Sequence, residues 1–251
     1  MKQFILALFL LALPAFAFDH SHQVYDTILK KYVLNGKVDY KSLKNETNLK
    51  LYLDSLSAIS VAEYNGYSKE QKLAFLINAY NAFTIQLILD NYPLKSIRNI
   101  GILPLAPWKK EFFKLLGEER SLGWIEHEKL RKDFEEPRIH FAIVCASIGC
   151  PPLISEAYIP EKLESQFQSI KNNFLNDTSK NRYDVESNTL YLSSIFDWFK
   201  EDFTKKGSLI DFIQPSLKVK IGINPKIKYT YYDWNLNEKN KKCFSLLVLI
   251  I

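Results

Sequence analysis

The chain has 251 residues, with 33 Lys+Arg against 28 Asp+Glu (formal charge +5) and 47% hydrophobic residues. The lysines are scattered among acids instead of forming a stripe, which argues against a nucleic-acid-binding surface, and the apolar content suffices for one sizeable core. Three cysteines are too few for a disulfide scaffold and leave one thiol over if the other two bridge.

Met1–Ala17 reads as a signal peptide: Lys2 is the cationic start, Phe4–Leu13 the apolar core, and Pro14 with Ala15-Phe16-Ala17 the cleavage signal. That core is shorter than the ~20 residues a spanning helix needs, and polar Asp19, His20, Ser21 and His22 follow at once. The expectation is a periplasmic or secreted protein with no transmembrane span in the mature chain. Residues 18–37 should form an N-terminal helical extension. Within them Val24, Ile28, Leu29, Tyr32 and Val33 recur at helical spacing, and Asn35-Gly36 is read as the stop. A free Phe18-Asp19-His20 terminus would offer an amine, two amides and an imidazole to Cu²⁺; an unstructured polar end is the plainer reading.

Residues 38–237 are expected to be a single α+β domain. Leu49–Ser57 reads as a short helix. Ser68–Asn91 is the longest helix, opened by a Ser68/Gln71 capping box and closed by Tyr92-Pro93, with Leu73, Leu76, Ile77, Tyr80, Phe83 and Leu87 toward the core. Asn78 and Asn81 interrupt this apolar helix. A buried amide without partners costs about 1–3 kcal/mol, so these two either bond to neighbouring loops or line a substrate site.

Ile97–Pro107 is a loop leading into Trp108–Leu116. Ser121–Phe134 reads as a helix on which His127 and Arg131, four apart, share a face, whereas adjacent Glu126 and His127 do not. After Glu136-Pro137, Arg138 opens a buried strand (Ile139, Phe141, Ala142, Ile143, Val144) that delivers Cys145-Ala146-Ser147-Ile148-Gly149-Cys150 and then Pro151-Pro152. Pro160–Leu175 is amphipathic, Tyr183–Leu192 is a hairpin turning at Ser187-Asn188, and Ile195–Phe203 and Ser208–Ile213 are helices. Lys218–Ile223 and Lys226–Asp233 alternate with period two as strands. Helices come first and strands late, which predicts an α+β fold: a helix-rich N-terminal half packed on a small, mainly antiparallel sheet. Residues 238–251 form a basic and then apolar tail, too short to cross a bilayer.

Chemistry is expected at Cys145, which ends a rigid element and is followed by small residues that leave room for a substrate. Five residues along a strand put His140 and Cys145 on opposite faces, so His127 is the favoured base, oriented by Glu126, Asn78 or Asn81. Arg131 or His140 would hold an anionic group of a small-molecule or peptide substrate. The competing reading is a Cys145–Cys150 disulfide, structural or redox-active. The cysteine and histidine spacing matches no common zinc pattern, and no cofactor is implied.

The blocks KLAFLINAYNAFTI (Lys72–Ile85), LGWIEHEKLR (Leu122–Arg131), RIHFAIVCASIGCPPL (Arg138–Leu153), IFDWFKEDF (Ile195–Phe203) and YYDWNLN (Tyr231–Asn237) occur in this order. Together they resemble the domain-of-unknown-function family 547, over roughly residues 38–237. The family pattern is matched at Asn78, Asn81, Glu126, His127, Arg131, His140, Cys145, Cys150 and Pro151-Pro152, which implies that these polar residues form one site. The leading expectation is an exported cysteine-dependent hydrolase or acyl-transfer enzyme. The alternatives are a non-catalytic periplasmic binding protein with a structural Cys145–Cys150 bridge and a thiol–disulfide redox protein.

Overall fold

The computed structural model describes residues 18–103 and 105–239. The Met1–Ala17 leader and the tail from residue 240 on, Cys243 included, lie outside the described residues. The central element is the helix Lys69–Asp90. Its start is fixed by reciprocal bonds: Ser68 N donates to Gln71 Oε1 at 2.8 Å, and Gln71 N donates to Ser68 Oγ at 3.2 Å. From Leu73 to Ile85 every side chain is buried, as expected of a helix apolar on all sides. By length and composition it could cross a membrane, but it is buried inside the protein.

The helix Thr47–Ser57 packs against this core helix, and Gln23–Tyr32 packs against Thr47–Ser57 through Tyr25, Ile28 and Leu29. Asn35-Gly36 does not simply end the first helix. Asn35 (φ 51°) and Gly36 (φ 76°) form the two-residue turn of a hairpin between Val33–Leu34 and Lys37–Val38. A side chain at position 36 would sit 2.6 Å from Pro152 Cβ, so the hairpin lies directly on the Pro151-Pro152 segment. The expected N-terminal extension thereby shares one core with the rest of the chain, a cluster running from Tyr25 to Leu236.

Two further departures bear on the site. The stretch predicted as one regular helix, Ser121–Phe134, winds from Trp124 to Leu130 with wide π turns before a short α-helical end at Arg131–Asp133. The predicted strand after Arg138 is a helical turn, Ile139–Ala142, with extended backbone resuming at Ile143. The reason is tertiary. Asn81 on the core helix donates from Nδ2 to Ala142 O (2.9 Å) and accepts from Val144 N (2.9 Å), pairing backbone groups that a strand would have offered to a sheet neighbour.

The strands are short. Phe113–Leu115 pairs with Glu118–Arg120, and Arg182–Asp184 pairs antiparallel with Thr189–Ser193 in the register Tyr183↔Leu190. Lys226–Thr230 lies parallel to Thr189–Ser193 (Leu190↔Ile227), making a mixed three-stranded sheet. Lys218–Ile223 forms no strand. The class is α+β, with small antiparallel pairs and one mixed sheet.

Candidate functional site

The cysteine turn is held by the segment after the last strand. Ile148 N donates to Asn235 O (2.8 Å), Gly149 N to Asp233 O (2.8 Å) and Asn237 N to Ala146 O (2.9 Å). Gly149 is required here, because a Cβ would meet Asp233 N and the Tyr232 ring at 2.9 Å. Ala146 takes a left-handed conformation (φ 56°) that folds residue 150 back toward residue 145. The result brings three side chains together. Tyr232 Oη donates to Cys150 Sγ at 3.0 Å and lies 3.2 Å from Cys145 Sγ, while Cys145 N donates to Cys150 Sγ at 3.1 Å.

Cys145 and Cys150 are both free thiols, so the bridge of the competing reading is not seen. Their chemistry is unequal. Burial pushes the Cys150 thiol up, but hydrogen bonds from the Cys145 thiol, the Tyr232 hydroxyl and the Ser147 and Cys145 amides outweigh it and bring it down to about 7. The bond to Cys150, with burial, pushes Cys145 well above its ordinary value. The geometry favours Cys150 over Cys145, the sulfur expected from sequence, as the one better placed to carry negative charge: the Cys145 amide and the Tyr232 hydroxyl both donate to it.

These sulfurs border a cavity of about 420 Å³. Its walls are aromatic, contributed by Tyr80, Trp108, Trp198, Phe199, Tyr232 and Trp234, and Glu126, His127 and His140 add the polar groups. Trp198, Tyr232 and Trp234 pack on one another with ring centroids 4.6–5.8 Å apart. Glu126 is 6% exposed. Burial pushes its carboxyl up to about 7 against the pull of Arg131, and Tyr80 on the same wall accepts from Trp108 Nε1 at 3.1 Å. A buried carboxyl near neutrality can both take up and release a proton, the property that general acid–base chemistry uses.

The histidines are arranged differently from expectation. Arg131 can only donate, and its Nη1 lies 3.2 Å from His127 Nδ1, so neutral His127 carries its proton on Nε2. Burial and Arg131 both lower its proton affinity. His127 is thus a hydrogen-bond donor whose only free lone pair is already used, a poor base for a thiol, and neither histidine hydrogen-bonds to Cys145. His140 is buried, stacks on Phe199 (3.9 Å) and donates from Nε2 to Asp202 Oδ2 at 2.8 Å; burial lowers its proton affinity against the pull of Asp202. Arg131 is likewise committed, donating from Nε to Asp202 Oδ2 at 2.6 Å. Burial works against the Asp202 charge, but these bonds from His140 and Arg131 hold its carboxyl far below the usual range.

Asn78 and Asn81 do not reach the cavity. Asn78 clamps Tyr158 through Nδ2 to O (2.7 Å) and N to Oδ1 (3.0 Å), as Asn81 clamps Ala142 and Val144. Of the seven catalytic and binding candidates named from sequence, Cys145, Glu126, His127 and His140 line the cavity, Arg131 braces His127 from behind, and the two asparagines shape the backbone. Tyr232 and Asp202 were missed as partners, and Cys150 as the thiolate. For Tyr232 and Asp202 the signal was their place in the YYDWNLN and IFDWFKEDF blocks; what could not be read was the pairing of Asp202 with His140, 62 residues away.

No group of three or more metal-ligating side chains occurs among the described residues. Residues 64–175 match the family model described as "Protein of unknown function, DUF547". The match spans the core helix, the π-wound segment and the cysteine turn, and stops before the Ile195–Phe203 and Tyr231–Asn237 blocks. No curated protein and no solved structure matches the chain at a significant level.

Proposed function

We propose, from the site's chemistry because the matched family brings no assigned activity, that this is an exported cysteine-dependent acyl-transfer or hydrolytic enzyme with Cys150 as nucleophile. One observation carries the reading: the Cys150 sulfur, which accepts from the Cys145 amide at 3.1 Å and the Tyr232 hydroxyl at 3.0 Å, borders an aromatic cavity that also holds the buried Glu126 carboxyl. A thiolate formed in this way needs no adjacent base.

In the first step the Cys150 thiolate attacks the acyl carbon of an ester or thioester, forming a C–S bond. As the leaving group's bond to that carbon breaks, the Glu126 carboxyl supplies its proton. Water then attacks the thioester and gives a proton to the Glu126 carboxylate, releasing a carboxylic acid and restoring the thiolate. The His127 Nε2–H is a donor suited to the developing oxyanion.

The test is acyl trapping. With a p-nitrophenyl acyl ester, intact mass analysis should find one acyl group on Cys150; Cys150→Ser should abolish it and Cys145→Ser should retain it. Acylation elsewhere, or an active Cys150→Ser variant, sinks the reading. A second reading, thiol–disulfide exchange, draws on the turn that brings both sulfurs to the Tyr232 hydroxyl, Cys150 at 3.0 Å and Cys145 at 3.2 Å. It predicts loss of two hydrogens on mild exposure to oxidised glutathione and equal inactivation by either serine substitution. Export is tested by the mass of the mature N terminus, expected at Phe18.

A further inference from the structure

The loop before the short helix Ala106–Lys109 presents bare apolar side chains to solvent. Ile102 is 101% exposed, Leu103 70% and Leu105 59%, a concentration matched nowhere else over so few described residues. From Lys95 to Lys110 the sequence contains four cations, Lys95, Arg98, Lys109 and Lys110, and no acid. All four are exposed and none forms an ion pair among the described residues. The same loop is the rim of the cavity: Leu105, Trp108 and Lys109 line its mouth, and the Arg98 guanidinium lies 5.2 Å over the Trp234 ring on its wall.

An apolar tip flanked in sequence by exposed cations that form no ion pairs among the described residues, with an aromatic residue at its base, has the composition that inserts into an anionic lipid interface. A protein partner fits less well, because three side chains on one tip fall far short of the roughly 800 Å² per partner that a stable interface buries. We infer that Ile102, Leu103 and Leu105 dock the protein on an anionic membrane surface, with Lys95, Arg98, Lys109 and Lys110 on the headgroups. The cavity then opens at the bilayer, and its substrate is an acyl chain carried by a membrane lipid or a lipid-linked thioester. This choice of substrate class rests on the acyl-transfer reading; the docking does not.

Co-sedimentation with vesicles tests it, using phosphatidylcholine alone and phosphatidylcholine with about one third phosphatidylglycerol, an anionic fraction enough to attract a basic surface. The full chain should bind the anionic vesicles and bind the neutral ones far less. Ile102→Asp/Leu103→Asp should weaken binding roughly tenfold or more, and Lys109→Gln/Lys110→Gln several-fold, the residual binding falling with salt. Cys150→Ser should bind as the unaltered chain does, so that a failed acyl-trapping experiment leaves the docking result intact. Circular dichroism checks that each surface variant is folded, and the lysine pair serves if the aspartate pair is not. Absence of binding to anionic vesicles, binding independent of lipid charge, or undiminished binding of the loop variant each overturns the proposal; the first would leave a protein partner as the occupant.

Discussion

Tyr232→Phe removes one oxygen and little else. The ring remains packed between Trp198 (4.8 Å) and Trp234 (4.6 Å), so the fold should survive. What is lost is the hydroxyl that donates to Cys150 Sγ at 3.0 Å. A hydrogen bond to a charged group contributes about 1.5–3 kcal/mol, and one pKa unit corresponds to about 1.4 kcal/mol, so the substitution should raise the Cys150 pKa by roughly one to two units. The midpoint of Cys150 thiolate formation should move from about 7 toward the ordinary thiol range. The assay is the pH dependence of the iodoacetamide rate at Cys150, resolved from Cys145 by peptide mass analysis. Unaltered protein should react increasingly through neutrality and be protected below it, while the variant should lag by that shift. An unshifted midpoint would refute the assignment of the thiolate to the Cys150–Tyr232 contact, and preferential labelling of Cys145 would refute the assignment to Cys150 altogether.

Glu126→Gln should stabilise the protein above neutrality. An acid whose folded pKa is raised to about 7 holds a proton in the fold that the unfolded chain releases near 4.5, so stability falls as pH rises through that window. The full difference, about 2.5 units, is on the order of 3 kcal/mol; denaturant melts at pH 8 and pH 4 should show the variant ahead at the first and level at the second. The same variant should lose acyl turnover while still allowing Cys150 to be alkylated. Asn81→Ala strands a buried N–H and a buried C=O, both bonded at 2.9 Å, and should cost about 2–4 kcal/mol in urea melts. A cost below about 1 kcal/mol would mean that water replaces the amide and that the clamp does not set the turn before Cys145.

The parts of the fold legible in sequence were those written locally. Ser68 and Gln71 announce a helix start within four residues, and the 182–193 hairpin lies between its own turn residues. The failures occurred where distant groups decided the conformation. Asn35-Gly36 is a signal both for ending a helix and for turning a hairpin, and its packing on Pro152 accompanies the second outcome. The run Ile139–Val144 has strand composition, but Asn81, about sixty residues away in sequence, takes the backbone bonds that a strand would use. The same limit applied at the site. Cys145, Glu126, His127 and His140 could be nominated because each sits in a short distinctive block, but their roles depend on Tyr232, Arg131 and Asp202. Placing His140 and Cys145 on opposite faces assumed a strand that does not exist, and naming His127 as base assumed an Nδ1 free of Arg131.

The strap 232–239 has a consequence in time as well as in space. It bonds to Ala146, to Lys95 and to Val38, and Asn237 receives the Tyr40 hydroxyl at 2.8 Å across 197 residues of chain. A nascent chain still lacking residues 232–237 has no phenol at Cys150 and nothing to pair with the Ala146–Gly149 turn. The hydroxyl reaches the Cys150 sulfur only once the strap has been made and laid down, so the surroundings of that sulfur are completed after the turn that carries it.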